Sequence, residues 1–519
     1  MDIKNIKQIE SATQFGAKDV RKIGFVILFM FATSLIALIC SDAQNHILLI
    51  ISVVIGMYMA MNIGANDVAN NVGPAVGSKT MTMLTAIIIA VIFEAGGAII
   101  AGGDVTDTIR GGIVSQSAFI DKNIFIAVML SALIASALWL NIATFVGAPV
   151  STTHSIVGGI IGSSIAAGGF GVVNWGVMLS IAASWVISPA IGGIIAALFL
   201  ILIKRTITYK QDKLNAAKKI VPFLIFIISF AFILYLLQKG LSRVITIHTA
   251  LQLVISLVLS IIIFLVAKPL IIKKADSLNN TKDAIGEFFT FPLIFAAALL
   301  SFAHGASDVS NAIGPLAAIN EAISGVIEAK SHTPLWIMIL GGFGISIGLA
   351  LYGPRLIRTV GNEITELDKI RAFCIALSAS ITVLVASALG LPVSSTHIAI
   401  GAIFGIGFLR EYLKSNYKKM EQEIIQAHRG KDAIVVQKFL DDFKKASIAR
   451  KQLILKGLKS KNLPFNKKDK KALKKSVQNE LVKRGAIKKI VASWLITVPV
   501  SAIVSAVAYF VIVQFADKF

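Results

Sequence analysis

GANDVANNVGP, residues Gly64 to Pro74, returns as GASDVSNAIGP at Gly305 to Pro315, identical at 7 of 11 positions. PVSTTH at Pro149–His154 returns as PVSSTH at Pro392–His397, identical at 5 of 6. The two offsets, 241 and 243 residues, nearly agree, so the chain is an internal duplication with matched spacing. A third echo, ASWVISP from Ala183 and ASWLITVP from Ala492, is offset by 309. The second copy therefore carries an insertion before its last helix.

The duplicated unit is a membrane one. The chain is 56% hydrophobic and 15% charged, whereas an ordinary soluble domain carries about 25% charged residues. Apolar runs such as Ile23–Cys40, Val172–Ile203 and Ile247–Ala267 match the ~20 residues needed to cross a bilayer as helix. They lack the period-two alternation of a β-barrel strand. About twelve transmembrane segments are expected, some broken, in an all-α membrane protein. Cys40 and Cys374, both in apolar runs, read as buried small hydrophobes that make no disulfide framework.

The net charge of +22 is local. Arg410–Lys489 holds 24 of the 50 basic residues against 8 acidic ones, so the charge reports a cytoplasmic segment rather than a nucleic-acid partner. Phe439 and Phe443, four apart, and Asn466 as a helix cap suggest two or three short amphipathic helices there, near anionic headgroups. Ser155–Ile203 contains no Lys or Arg, so its loop reads as periplasmic. Its counterpart in the second copy is the basic insertion. Equivalent loops thus face opposite sides, which makes this an inverted-topology repeat of the kind secondary transporters use. The expected divisions are a basic tail and extra anchor (1–45), a first repeat (46–203), two connecting helices (204–287), a second repeat (288–409), the basic insertion (410–490) and a last helix (491–519). An uncleaved anchor is favoured over a signal peptide cut near Ser41-Asp42-Ala43.

Asp67 and Asp308 occupy matching positions, each read as ending an apolar helix. A central aspartate costs about 2.5–3.5 kcal/mol on insertion scales, so two matched ones suggest a function at the midplane. Asn66, Asn70 and Asn71 beside the first, and Ser307, Ser310 and Asn311 beside the second, supply the hard oxygens a small cation needs. The glycines at 64 and 305 would let the backbone unwind and free carbonyls there. The alternative for these residues is simple capping at a water interface. Ser151-Thr152-Thr153 and Ser394-Ser395-Thr396, each behind a Pro-Val, read as helix starts inside the membrane. A helix start offers unpaired N–H groups and about half a positive charge, and two facing starts suit a tetrahedral oxyanion. Neither motif contains Arg or Lys, so dipoles and co-bound cations would hold the anion reversibly. His154 and His397 read first as packing or orienting groups, with proton sensing as the alternative.

These paired motifs resemble the inorganic phosphate transporter (PiT) family. The resemblance spans roughly 51–203, 288–407 and the helix at 492–513. It implies re-entrant helical hairpins meeting at a central site, with phosphate at Ser151, Thr152, Thr153, Ser394, Ser395 and Thr396. It implies coupling-cation contacts at Asp67, Asp308, Asn66, Asn70, Asn311 and Ser307, a homodimer, and Glu94 as a carboxylate in the pathway, beside His154 and His397. Met129 and Ala376 stand where sodium-coupled eukaryotic members often carry Glu, which weakens a sodium assignment. The expected activity is import of inorganic phosphate by symport with H+ or Na+ across a bacterial inner membrane, without an enzymatic step or a resident cofactor. Sulfate is the nearest competing substrate. A passive anion channel, or a hydrolase built on Ser151 or Ser394 with a histidine, are the other classes. No GxxxxGK[ST] segment points to ATP as the energy source.

Overall fold

A computed structural model describes residues 3–43, 45–146, 150–240, 247–325, 333–363, 368–426, 439–440 and 485–516. Their regular structure is helical throughout, apart from one isolated bridge between Val114 and Val173. Eleven of the described helices are long and apolar enough to cross a membrane, close to the dozen expected. We number the main helices α1 (Ile3–Cys40), α2 (His46–Gly77), α3 (Met83–Ala101), α4 (Lys122–Val146), α5 (Thr152–Gly168), α6 (Trp175–Ile203), α7 (Lys213–Tyr235) and α8 (Thr249–Asp276). They continue as α9 (Thr290–Asp308), α10 (Ser310–Ser324), α11 (Leu335–Glu363), α12 (Lys369–Ala388), α13 (Ser395–Gln426) and α14 (Gly485–Ala516). The chain divides into two compact units, 1–402 with 485–519, and 403–484. The site lies in the first. Most of the second, with the amphipathic helices expected around Phe443 and Asn466, lies outside the described residues, as does Pro149.

The two copies exchange partners. α2 packs along α11 of the second copy, and α9 packs along α3 of the first. Glycines make both approaches possible. A Cβ at Gly64 would run into the carbonyl oxygen of Ile345, and one at Gly305 into that of Glu94. Small residues at such crossings let backbones pack closely where lipid gives no hydrophobic drive to associate. The same exchange recurs at the short helices. α5 packs on α14, with Gly158 against Val498, and α13 meets α6, with Gly401 against Pro189.

The expected unwinding at the aspartates does not occur. α2 runs unbroken past Asp67 to Gly77 and contains Pro74. On the other side the helical run pauses only at Val309, whose φ of −55° and ψ of −34° are themselves helical. Gly64 and Gly305 serve interhelical contact instead of a backbone break. The cysteines also differ from each other: Cys374 is buried, whereas Cys40 is exposed at the end of α1, where the helix's apolar face is outward. Outward Leu, Ile and Val along α8, among them Leu253, Leu257, Ile261 and Leu265, give the surface expected against hydrocarbon.

Candidate functional site

Two helices begin in the interior of the first unit. Ser151 caps α5, its Oγ accepting from the His154 amide at 3.1 Å. Ser394 caps α13 in the same way, accepting from the His397 amide at 3.3 Å. These hydroxyls act as caps, and the next residues reach outward from the helix starts. All six Ser and Thr of the two motifs are buried.

Thr152 donates to Asp67 Oδ2 at 3.1 Å, and Ser395 donates to Asp308 Oδ2 at 2.7 Å, one bond in each copy. Across the copies, Asn70 donates to Thr396 Oγ1 at 2.9 Å and Asn311 donates to Thr153 Oγ1 at 3.1 Å. These four bonds obey the repeat. Thr396 departs from it by also donating to Asp67 Oδ1 at 2.8 Å, whereas Thr153 donates to the Val393 carbonyl at 3.0 Å. Asn66 donates to Asp67 Oδ1 and to the Val150 carbonyl, tying α2 to the segment that leads into α5. Asp67 and Asp308, 241 residues apart in sequence, therefore belong to one buried cluster with both helix starts.

His304 was not singled out from the sequence, and it is the centre of this cluster. Its Nε2 lies 3.1 Å from Asp308 Oδ2 and 3.6 Å from Asp67 Oδ2, and its Nδ1 lies 3.3 Å from Glu94 Oε1. Asn71 donates to the same Glu94 oxygen at 2.7 Å. The legible signal was a histidine inside an apolar run, four residues before Asp308 and so on the same helix face. Ser307 is buried with its hydroxyl unpaired, and Asp308 Oδ1, Asn311 Oδ1, Asn71 Oδ1 and Glu94 Oε2 also lack a hydrogen-bond partner within the chain. Unpaired buried oxygens are costly, and a cation is one group that could satisfy so many of them around two carboxylates. One ligand atom each from Asp67, His304 and Asp308 fall within 4.8 Å of one another.

The histidines of the two motifs lie elsewhere. The rings of His154 and His397 meet edge to face at 4.4 Å between centroids, and the His154 ring also lies 3.8 Å from that of Trp185. Thus Thr152, Thr153, Ser395 and Thr396, both aspartates, Asn66, Asn70, Asn311 and Glu94 are joined in one network, Ser151 and Ser394 cap the two helix starts, Ser307 is buried next to Asp308 in sequence, and the two motif histidines contact each other.

The sequence pattern of the Phosphate transporter family matches residues 63–505. A Helicobacter pylori protein named "Putative phosphate permease" is 53% identical, with all of each chain covered. One from Pyrococcus furiosus with the same description is 40% identical, covering 73% of this chain and 91% of its own. Among solved structures, one described as the sodium-dependent phosphate transporter superposes with a TM-score of 0.73. It is 32% identical and covers 90% of this chain and 99% of its own.

Proposed function

The chain belongs to the phosphate transporter family, and we propose that it imports inorganic phosphate by symport with a cation, H+ or Na+. It is an all-helical, multi-pass membrane protein of a permease family, not an enzyme. One observation carries the proposal: the starts of α5 and α13 both donate to Asp67, through Thr152 and Thr396, and α13 also donates to Asp308 through Ser395.

The arrangement accounts for coupling. N–H groups and hydroxyls at two helix starts attract a tetrahedral oxyanion, each start contributing about half a positive charge. Asp67 and Asp308 accept from those same hydroxyls and would repel it. A cation taken up between the aspartates removes the repulsion and frees the hydroxyls to turn toward the anion. Neither ion then binds well without the other, as a symporter requires. His304 stands between the carboxylates, and an imidazole nitrogen is a poor partner for Na+ compared with carbonyl or carboxylate oxygen. That observation favours the proton as coupling ion.

In the same reading α4 with α5, and α12 with the start of α13, are re-entrant hairpins of two inverted repeats at 46–203 and 288–409. The remaining parts are the anchor at 1–45, the connecting helices at 204–287, the cytoplasmic insertion at 410–490 and the last helix at 491–519. The protein works as a homodimer in the inner membrane. Purified protein in liposomes, with proton and sodium gradients imposed separately, tests the function. Labelled phosphate should accumulate against its gradient when the inside is made alkaline, with sulfate a weak competitor. Accumulation of sulfate in place of phosphate would overturn the substrate assignment, and equilibration without accumulation would indicate a channel.

A further inference from the structure

Two helix starts of like sign repel each other, so something must hold α5 and α13 together at their positive ends. Across them run three contacts. Thr153 donates to the Val393 carbonyl at 3.0 Å, the rings of His154 and His397 touch at 4.4 Å, and Trp185 of α6 engages both sides at once. The Trp185 ring lies 3.8 Å from that of His154, in the first copy. Its indole N–H donates at 3.0 Å to the carbonyl of Pro392, the residue that opens the second motif. Among the described residues the indole N–H of Trp185 bonds to this carbonyl and not to the hydroxyls assigned to phosphate.

We propose that Trp185, packed on His154, whose ring in turn meets that of His397, is a positioning residue that clamps the two anion-facing helix starts at the spacing a single phosphate needs. This rests on the phosphate reading and adds the device that sets affinity. The chemistry fits the task. Pro392 cannot donate a backbone hydrogen bond, but its carbonyl, ahead of α13, accepts from a side chain on α6. The indole supplies that bond and a broad apolar face in one rigid group with two side-chain torsions, so little entropy is lost in fixing it. The histidine rings add contact without placing a carboxylate, lysine or arginine beside the anion. Pre-organised starts bind the anion without first closing against their own repulsion.

The consequence is a separation of KM from maximal rate. Trp185→Phe keeps a smaller ring against His154 and removes the N–H to Pro392. In proteoliposomes it should raise KM for phosphate about five- to tenfold, the loss expected for one hydrogen bond, with the maximal rate within about twofold. Trp185→Ala, which removes the face as well, should raise KM further.

A second measurement uses no substrate. A variant retaining Trp185 alone, with Trp139, Trp175, Trp336 and Trp494 changed to Phe, reports the indole's surroundings by its emission. His154→Leu in that background should shift the emission, because the ring contact is lost. Wild-type KM in Trp185→Phe, or an emission unaltered by His154→Leu, would overturn the clamp. The phosphate reading fails differently: wild-type protein would show no phosphate uptake at all, while the emission test would still decide the clamp.

Discussion

The two copies treat their aspartates differently. Around both, a hydroxyl from the following helix start donates to the carboxylate, and an asparagine reaches across to the other copy. Beyond that shared part the copies diverge. The 241-residue offset places Ile63 opposite His304, Asn66 opposite Ser307 and Ala312 opposite Asn71. The matched glycine contacts place Ile345 opposite Glu94. The polar triad of His304, Glu94 and Asn71 thus has Ile63, Ile345 and Ala312 as its mirror, with both isoleucines and Ala312 buried. Duplication supplied a symmetric cradle, and divergence placed a second carboxylate and an imidazole on one side only. The symmetric part is suited to a tetrahedral anion, which presents oxygens to both starts. The one-sided part is suited to a coupling ion taken up once per cycle.

The comparison is most severely tested at the carboxylates. Asp67 accepts from Asn66, Thr152 and Thr396, whereas Ser395 is the hydroxyl that donates to Asp308. Asp67→Asn should lower phosphate uptake by about 100-fold or more, on the scale of losing a charge-assisted network. Asp308→Asn should also abolish accumulation but leave more residual binding, as measured by labelled-phosphate binding to detergent-purified protein. Equal residual binding would show that the extra bonds to Asp67 are structural.

A smaller and more selective effect is expected from installing the mirror residue. His304→Ile removes the imidazole and fills its space with the side chain found at position 63. Accumulation driven by a proton gradient should fall while phosphate–phosphate exchange persists, because a positioned proton carrier is lost from an otherwise intact cradle. Loss of both activities together would assign His304 to the substrate cradle instead. At the mirror position the control Ile63→Val should cost about 0.5–1.5 kcal/mol of stability and leave coupling unchanged, read by thermal unfolding in detergent and by uptake.

The glycine pair tests the symmetry of the scaffold apart from its chemistry. Gly64→Ala and Gly305→Ala each push a methyl group into a backbone carbonyl, of Ile345 and Glu94 respectively. Each should cost about 1–3 kcal/mol, the usual range for overpacking, with similar losses of melting temperature. Gly305→Ala should in addition impair coupling, because the carbonyl it displaces belongs to Glu94.

Least of all should matter the ion pairs outside the spans. Lys369 donates to Glu287 at 2.7 Å and holds its carboxyl below the usual range, with Lys274 adding to the effect. A depressed carboxyl stabilises the fold above the unfolded value, about 4.3, and that contribution is lost as pH falls through the folded value. Exposure and salt keep it small, and Glu287→Gln should change stability by less than about 1 kcal/mol at neutral pH.

Much of this was legible because duplication is a strong signal. Two motifs returning at nearly equal spacing located both aspartates, both helix starts and the amide residues without any coordinates. Period and composition read the helices and their number closely. What escaped was one residue that breaks the repeat and the packing that only the folded chain shows. His304 has no partner in the first copy, so a search for matched residues passes over it. Gly64 and Gly305 suggested unwinding because glycine permits it, but a chain pattern does not reveal which carbonyl lies across an interface. Cys40 looked buried because an apolar neighbourhood signals either a protein core or a lipid-facing surface.

The central claim, that one oxyanion sits between the starts of α5 and α13, is most directly tested by anomalous diffraction from crystals soaked in arsenate, a heavier tetrahedral analogue. The account predicts one anomalous peak per chain, within hydrogen-bond reach of Thr152, Thr153, Ser395 and Thr396. A peak at another position, or none in protein that takes up arsenate, would contradict it.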